Sequence, residues 1–171
     1  MYIDLLKLPK EGKKLCLAFN ESFCDTLFNI KCFTGEIFKE KDEFILHGEL
    51  SFEVEEQCDR CLEHFILSMN EYIILKLSDK FCKVDISGKP EIQLSDEDLD
   101  RLYIDNNIIN INILILEEAE SLRPISKLCN SECKGLCKYC GLNMNKHVCD
   151  CDHLIKEHFS MEDLVNKYNK K

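Results

Sequence analysis

The sequence predicts an α+β fold: an antiparallel β-rich body, barrel-like or a curved sheet, with one or two helices and a C-terminal zinc-binding module ending in a short helix. Three observations carry this. Stretches of the first half alternate apolar and polar residues, which is how half-buried strands read. One apolar run, 111–121, passes into good helix formers ahead of Pro124. Of twelve cysteines, six crowd into positions 129–151.

The elements follow in order. Leu15, Leu17 and Phe19 alternate with Cys16 and Ala18, and Ile30, Cys32 and residues 36–38 continue the β pattern. The clearest strand is 44–54. Phe44, Leu46, Gly48, Leu50, Phe52 and Val54 share one face, and Ile45, His47, Glu49, Ser51 and Glu53 share the other. Residues 64–77 read as its partner, anchored by Ile66, Ile73, Leu75 and Leu77. The connector 55–63 then places Cys58 and Cys61 on the turn of a hairpin. Residues 78–100 read as loop, broken by Gly88-Lys89-Pro90, with Ser95 able to open a short helix. Asn110 is placed to cap a helix over Ile111–Ser121; the apolar run also reads as a strand, and the helix is preferred for the helix formers at 117–120. Residues 125–153 are irregular. Ser160 starts a last helix that buries Leu164, Val165 and Tyr168, and residues 169–171 fray. The expected division is 1–125 as body with the CxxC hairpin tip, and 126–171 as the cysteine module packed on it.

Composition narrows the function. At 171 residues, 45% apolar and 32% charged, the chain has the balance of a folded domain with its own core. No apolar stretch is long enough to span a bilayer. The N-terminus has no basic start, apolar middle and cleavage site, so the expected location is the cytoplasm. Thiols in that compartment bind metal or do redox work rather than form structural disulfides. The formal charge is −10 and unevenly spread: residues 1–126 carry 14 Lys and Arg against 26 Asp and Glu, residues 127–171 carry 8 against 6. Four thiolates on a divalent ion leave each site at −2, so metal makes the chain more acidic. Nucleic-acid binding depends on cations that neutralise phosphate, and no basic stripe is present. Direct RNA binding is therefore disfavoured, and a basic protein partner fits better.

The cysteine string is Cys129-x3-Cys133-x3-Cys137-x2-Cys140-x8-Cys149-x-Cys151. Zinc favours four soft ligands in a tetrahedron. Cys137-Lys-Tyr-Cys140-Gly141 has the form of a knuckle, with a glycine to fold the backbone back. With Cys149 and Cys151 it makes one closed site. Cys129 and Cys133 remain, as does the Cys58-Asp-Arg-Cys61 pair. Eight ligands divide into two four-cysteine sites, so Cys58, Cys61, Cys129 and Cys133 are expected to hold a second zinc.

Other readings stand beside this one. Cys129, Cys133, Cys137 and Cys140 would make a site in sequence order and leave Cys58 and Cys61 as a redox dithiol. An iron–sulfur cluster also takes cysteines. Cys16, Cys24, Cys32 and Cys82 are scattered and read as small buried hydrophobes. His147, His153 and His158 lie near the ligands and read as surface or supporting residues. Arg60 has a choice between a ligand sulfur, a partner and solvent. Asp96, Glu97, Asp98 and Asp100 read as a solvated helix start rather than a calcium site. No phosphate-binding glycine loop, HExxH or GxSxG occurs, and a four-thiolate zinc has no open position for catalysis. The chain is expected not to be an enzyme.

Cys58-Asp-Arg-Cys61-Leu62-Glu63 ahead of an apolar strand resembles the CxRCL element of the YceD family, the large ribosomal RNA subunit accumulation proteins of bacteria and plastids. Leu128-Cys129, Cys133-Lys-Gly-Leu-Cys137, Cys140-Gly141-Leu-Asn143-Met-Asn145 and Cys149-Asp-Cys151 resemble the tail of its Gram-positive form. The resemblance covers most of the chain. Departures are Lys138 where the family often has proline, Arg123-Pro124 in place of Leu-Pro, and Glu120 and Ser121 at commonly apolar positions. The resemblance implies a ribosome biogenesis factor supporting large-subunit (23S) ribosomal RNA. Genes of the family often neighbour that of a small zinc-ribbon ribosomal protein. An acidic body suits the steering of such a protein, or of a large-subunit assembly intermediate carrying one. The reading from another class is a thiol-redox or zinc-sensing protein that uses Cys58 and Cys61.

Overall fold

The computed structural model describes residues 1–78, 101–104 and 107–151. The expected helices at 95 and 160, Cys82, His153, His158 and the acidic run at 96–100 lie outside the described residues. The chain divides into two compact units. One comprises Met1–Glu55 and Ile66–Ile125, the other Glu56–Phe65 and the segment from Ser126 on.

The first unit is built on a sheet of order β2-β3-β4-β5-β6 among the described residues. Its strands are β2 (Lys13–Phe23), β3 (Thr26–Glu40), β4 (Glu43–Gln57), β5 (His64–Ser78) and β6 (Arg101–Tyr103). β2, β3 and β4 pair antiparallel through two-residue turns, and β6 joins the edge of β5 in parallel. The connection between neighbours β4 and β5 is far too short for a parallel crossover, so they too form a hairpin. Cys24 and Asp25 sit at φ 47° and 64°, the geometry of a turn whose twist matches the strands it joins. β1 (Tyr2–Asp4) and β7 (Ile108–Asn110) make a separate two-stranded ladder, with a 3-10 turn at Leu5–Lys7 between β1 and β2.

β4 alternates as its sequence predicts, with Phe44, Leu46, Leu50, Phe52 and Val54 buried. Two expectations are corrected. Ile66 is 59% exposed, because the phase of β5 set by buried Ile73, Leu75 and Leu77 turns even positions outward. Cys16, Cys24 and Cys32 are exposed rather than buried. In β3 the register slips by one residue between Ile30 and Cys32, on both its β2 and β4 sides. The extra residue, Lys31, flips the phase. Ile30 and Phe33 therefore point inward and Cys32 outward. Cys16 lies on the solvent face of β2 and Cys24 in the turn.

Gly35 and Gly48 face each other across β3 and β4. A Cβ on Gly35 would lie 2.1 Å from the His47 carbonyl oxygen, and one on Gly48 2.5 Å from that of Thr34. Only glycines allow the strands to close in this far. The core gathers Phe28, Phe33, Phe52, Ile37 and Leu77 with Ile111, Ile115, Leu116 and Ala119 of helix α1 (Ile111–Ser121). Asn110 caps α1 as expected, its side chain accepting from the Asn112 amide at 3.2 Å. The chain's first residue reinforces that end: the Ile111 amide donates to the Met1 carbonyl at 2.9 Å. Among the described residues no helix is long and apolar enough to cross a membrane.

Candidate metal centre

Among its described residues the second unit carries little regular structure, and short polar turns shape it. At the tip between β4 and β5 the Cys58 amide donates to Glu63 O and the Leu62 amide to Cys58 O, both at 2.9 Å. Leu62 takes φ 59° to close this turn. The tip is then laced to the tail. The Asp59 amide donates to Lys127 O at 2.8 Å, the Lys127 amide to the Asp59 carboxylate at 2.7 Å, and the Lys127 ammonium meets buried Glu56 at 2.8 Å. The Leu136 amide donates to Arg60 O at 3.0 Å. The Arg60 guanidinium donates to the Cys133 backbone carbonyl at 3.0 Å, and not to the ligand sulfur that is one of its expected partners. Gly135, at φ 74°, is needed here: a Cβ would stand 3.0 Å from Arg60 O.

This lacing brings the Sγ atoms of Cys58, Cys61, Cys129 and Cys133 within 4.8 Å of one another. Cys58, Cys61 and Cys133 are buried, with Phe65 and Leu128 packed against them. Cys137, Cys140, Cys149 and Cys151 form a second group of the same tightness. The division in sequence order, with Cys137 and Cys140 joining Cys129 and Cys133, is not the one adopted. In the second group the Cys137 amide donates to Leu142 O at 2.8 Å and the Gly141 amide to Cys137 O at 2.9 Å, with Gly141 at φ 71°. The Tyr139 amide points at the Cys137 sulfur from 3.5 Å. His147 is exposed and in neither group.

The donor set and spacing suit one tetrahedral ion per group. A metal–thiolate distance of about 2.3 Å gives a tetrahedron with edges of about 3.8 Å. The Cys58–Cys133 and Cys61–Cys129 sulfurs are 3.8 and 3.6 Å apart. A multi-iron cluster would spread its thiolates over separate irons and hold them wider. The titration of the groups points the same way. The Cys129 amide, then those of Cys61 and Arg60, bring Cys58 down to about 6. The amides of Cys140 and Tyr139 do the same for Cys137, also about 6. The desolvated sulfur of Cys129 is pushed up to about 12, with the Cys61 and Cys58 sulfurs acting in the same direction. The Cys140 sulfur leads in raising Cys151 to about 12. Each group thus sets lowered thiols beside raised ones, a repulsion between neighbouring sulfurs that a divalent cation would relieve.

Asn143, Asn145 and Glu63, which stand in the sequence only as marks of the family resemblance, gain a role here. Asn145 donates its side-chain amide to the Cys133 sulfur at 3.2 Å and accepts the Lys134 amide at 2.8 Å. Asn143 accepts from the Asn145 amide and donates to Glu63, which also holds Lys146 at 2.8 Å. A single Asn-x-Asn segment therefore ties the surroundings of one cysteine group to those of the other.

Residues 46–162, which include all eight of these cysteines, match the family model described as Large ribosomal RNA subunit accumulation protein YceD. The chain belongs to the YceD family. Over 27 residues it is also 56% identical to the Large ribosomal RNA subunit accumulation protein YCED homolog 1, chloroplastic, of Arabidopsis thaliana. That stretch is 16% of this chain and 8% of the plant protein. No solved structure matches the chain. The YceD description names an outcome at the level of ribosomal RNA and no reaction.

Proposed function

We propose that this YceD protein is a non-enzymatic factor in large-subunit ribosomal RNA accumulation, that it holds two structural zinc ions, and that it acts through a basic protein partner of the assembling subunit. The observation that supports the zinc is the pair of four-sulfur groups, each within 4.8 Å, with edges of 3.8 and 3.6 Å in the first. Four thiolates fill the coordination of zinc and leave no position for a substrate, so the ion's role is to cross-link. Zinc bound this way contributes on the order of 10 kcal/mol to folding in small domains. Cys58, Cys61, Cys129 and Cys133 would hold one ion, Cys137, Cys140, Cys149 and Cys151 the other.

The redox reading draws on the lowered Cys58 thiol. Against it, Cys58 is fully buried and Cys61 nearly so, where an oxidant has no approach. The acidic balance of residues 1–126 supports a basic partner.

Depletion of the protein, with quantification of large- against small-subunit ribosomal RNA and metal analysis of the purified chain, tests the proposal. The expected result is a fall in the large-subunit RNA and two zinc ions per chain. An unchanged ratio of the two RNAs would overturn the role, and one ion or none would overturn the zinc assignment.

A further inference from the structure

The solvent face of the sheet carries a feature that the cysteine groups do not use. Across four adjacent strands lies a polar row: Lys14 on β2, Glu36 on β3, His47 on β4 and Tyr72 on β5. Lys14 is the register partner of Glu36, and Glu36 that of His47. His47 is fixed at both ring nitrogens. Nε2 lies 3.2 Å from a Glu36 carboxylate oxygen and Nδ1 2.5 Å from the Tyr72 hydroxyl. A carboxylate only accepts, so Nε2 carries a proton; in the neutral ring Tyr72 then donates to Nδ1. Phe38 meets the His47 ring edge-on at 5.6 Å between centroids and supports it from behind. The next row holds the register pair Thr34 and Glu49.

Together these residues line an open depression of about 470 Å³, within the roughly 300–1,000 Å³ usual for ligand sites. Gly35 and Gly48 pair between the two rows, and their backbones line the depression. Tyr72 is 58% exposed, with its ring oriented by the bond to His47. Glu36 is engaged by His47, whereas Glu49 has no ion pair among the described residues. Two carboxylates against the single ammonium of Lys14 leave the lining at −1, with His47 counted neutral.

We infer that this depression is a docking site for an arginine side chain of a basic protein partner, stacked on the Tyr72 ring and forked onto the Glu49 carboxylate. Arginine is the side chain whose flat cation uses both an aromatic face and a carboxylate at once. A lysine would use only the charge. A phosphate-bearing ligand would meet two carboxylates and one lysine, the wrong sign. The inference rests on the basic-partner reading above and adds where on the chain such a partner is held and by which residue type.

The test uses the full, metal-loaded chain and a labelled peptide of alternating arginine and glycine, with a twin in which lysine replaces every arginine. Tyr72→Leu and Glu49→Gln are each expected to weaken the arginine peptide by roughly three- to fivefold. Tyr72→Phe, which keeps the ring, should stay close to the parent. Glu21→Gln removes the same charge from an exposed position on β2 outside the depression and should change affinity less than twofold. The arginine peptide should outbind its lysine twin. Equal weakening by Glu21→Gln and Glu49→Gln, equal binding of the two peptides, or no binding of either would overturn the site. So would a single-stranded RNA whose binding is lost in Tyr72→Leu. Circular dichroism of each variant guards against misfolding, and Tyr72→Phe keeps the test decisive if Tyr72→Leu fails to fold. The peptide assay reads the site alone, whereas the ribosomal RNA ratio after depletion reads the cellular role, so either can fail without the other.

Discussion

The bond that matters most in the second unit is the one that joins distant parts of the chain, and Cys58→Ser removes one of its ligands. Cys61 and Cys129 are 68 residues apart, and Cys58 and Cys133 are 75 apart. Treated as a cross-link that restricts the unfolded chain, closing a loop of that length is worth about 4 kcal/mol, against about 3 for a loop of roughly 15 residues such as that of the second group. Serine is a poor zinc ligand, and the three remaining thiols do not complete a tetrahedron. Metal content should therefore fall from two ions per chain to one, and new protease cleavage should open within residues 126–136. The free energy of unfolding of this unit should drop by about 4 kcal/mol, or more if the unsatisfied cluster loosens further. Cys149→Ser should remove the other ion and leave 126–136 protected, and Cys16→Ser, on the solvent face of β2, should leave both ions in place. Metal analysis, a timed digest mapped by mass spectrometry and a urea titration are the readouts. Two ions retained in Cys58→Ser, or a digest identical to the parent's, would refute the shared site.

The other predictions concern what surrounds these features. Asn145→Ala removes a hydrogen bond to the Cys133 sulfur and should weaken metal at the first group by about ten- to a hundredfold, seen as faster loss to a chromogenic chelator; equal rates would show the bond to be idle. Gly35→Ala drives a Cβ to 2.1 Å from the His47 carbonyl and should lower stability by about 1–3 kcal/mol, while a melting curve like the parent's would mean that the strands yield freely. Acidification should release metal, because protons compete for the thiolates, and raising the pH should not. Glu63 is held below its ordinary 4.5 first by the hydrogen bond from Lys146. What this carboxylate adds is therefore present above about pH 4.5 and lost only as the pH falls through its lower folded value. Between pH 7 and 5, Glu63→Gln should displace the release curve without changing its steepness, and a change in steepness would contradict this.

How far these features could be read in advance depended on how local their causes are. β4 is visible because fifteen residues obey one alternation and nothing interrupts it. The Asn110 cap is visible because the cap and the amide that donates to it are two residues apart. β3 misleads because the extra residue, Lys31, inverts the pattern midway, so Cys32 looks inward by counting from Ile30 and is not. Ile66 misleads because residues 65–67 are apolar on both faces, and only the later Ile73–Leu77 fixes the phase. The ladder of β1 and β7 has three residues a side and no periodicity to read; its register belongs to contacts across more than a hundred residues, such as Ile111 to Met1. In the second unit the grouping of cysteines was legible from ligand count and spacing. The roles of their surroundings were not: Asn145 stood in the family motif without a task, and Glu56 gains its own only from Lys127, far along the chain.

Charge and metal act together in this molecule. With neutral thiols the chain stands at −10; two divalent ions on eight thiolates add −2 at each site and take it to −14. The loaded form is thus the more ordered and the more acidic at once. A chain that used its knuckles to grip phosphate would need the opposite, cations that displace the counterions of nucleic acid. If the two groups are loaded as proposed, loading would raise the attraction for cationic partners and the repulsion of RNA together, which favours the proposed partner, a protein rich in arginine and lysine. Its association with the loaded chain should be fast at low ionic strength and slow steeply with added salt. Stopped-flow mixing with a basic peptide measures this directly. A rate indifferent to salt between low and physiological ionic strength would mean that the acidic surface does not steer the encounter, whatever the peptide finds when it arrives.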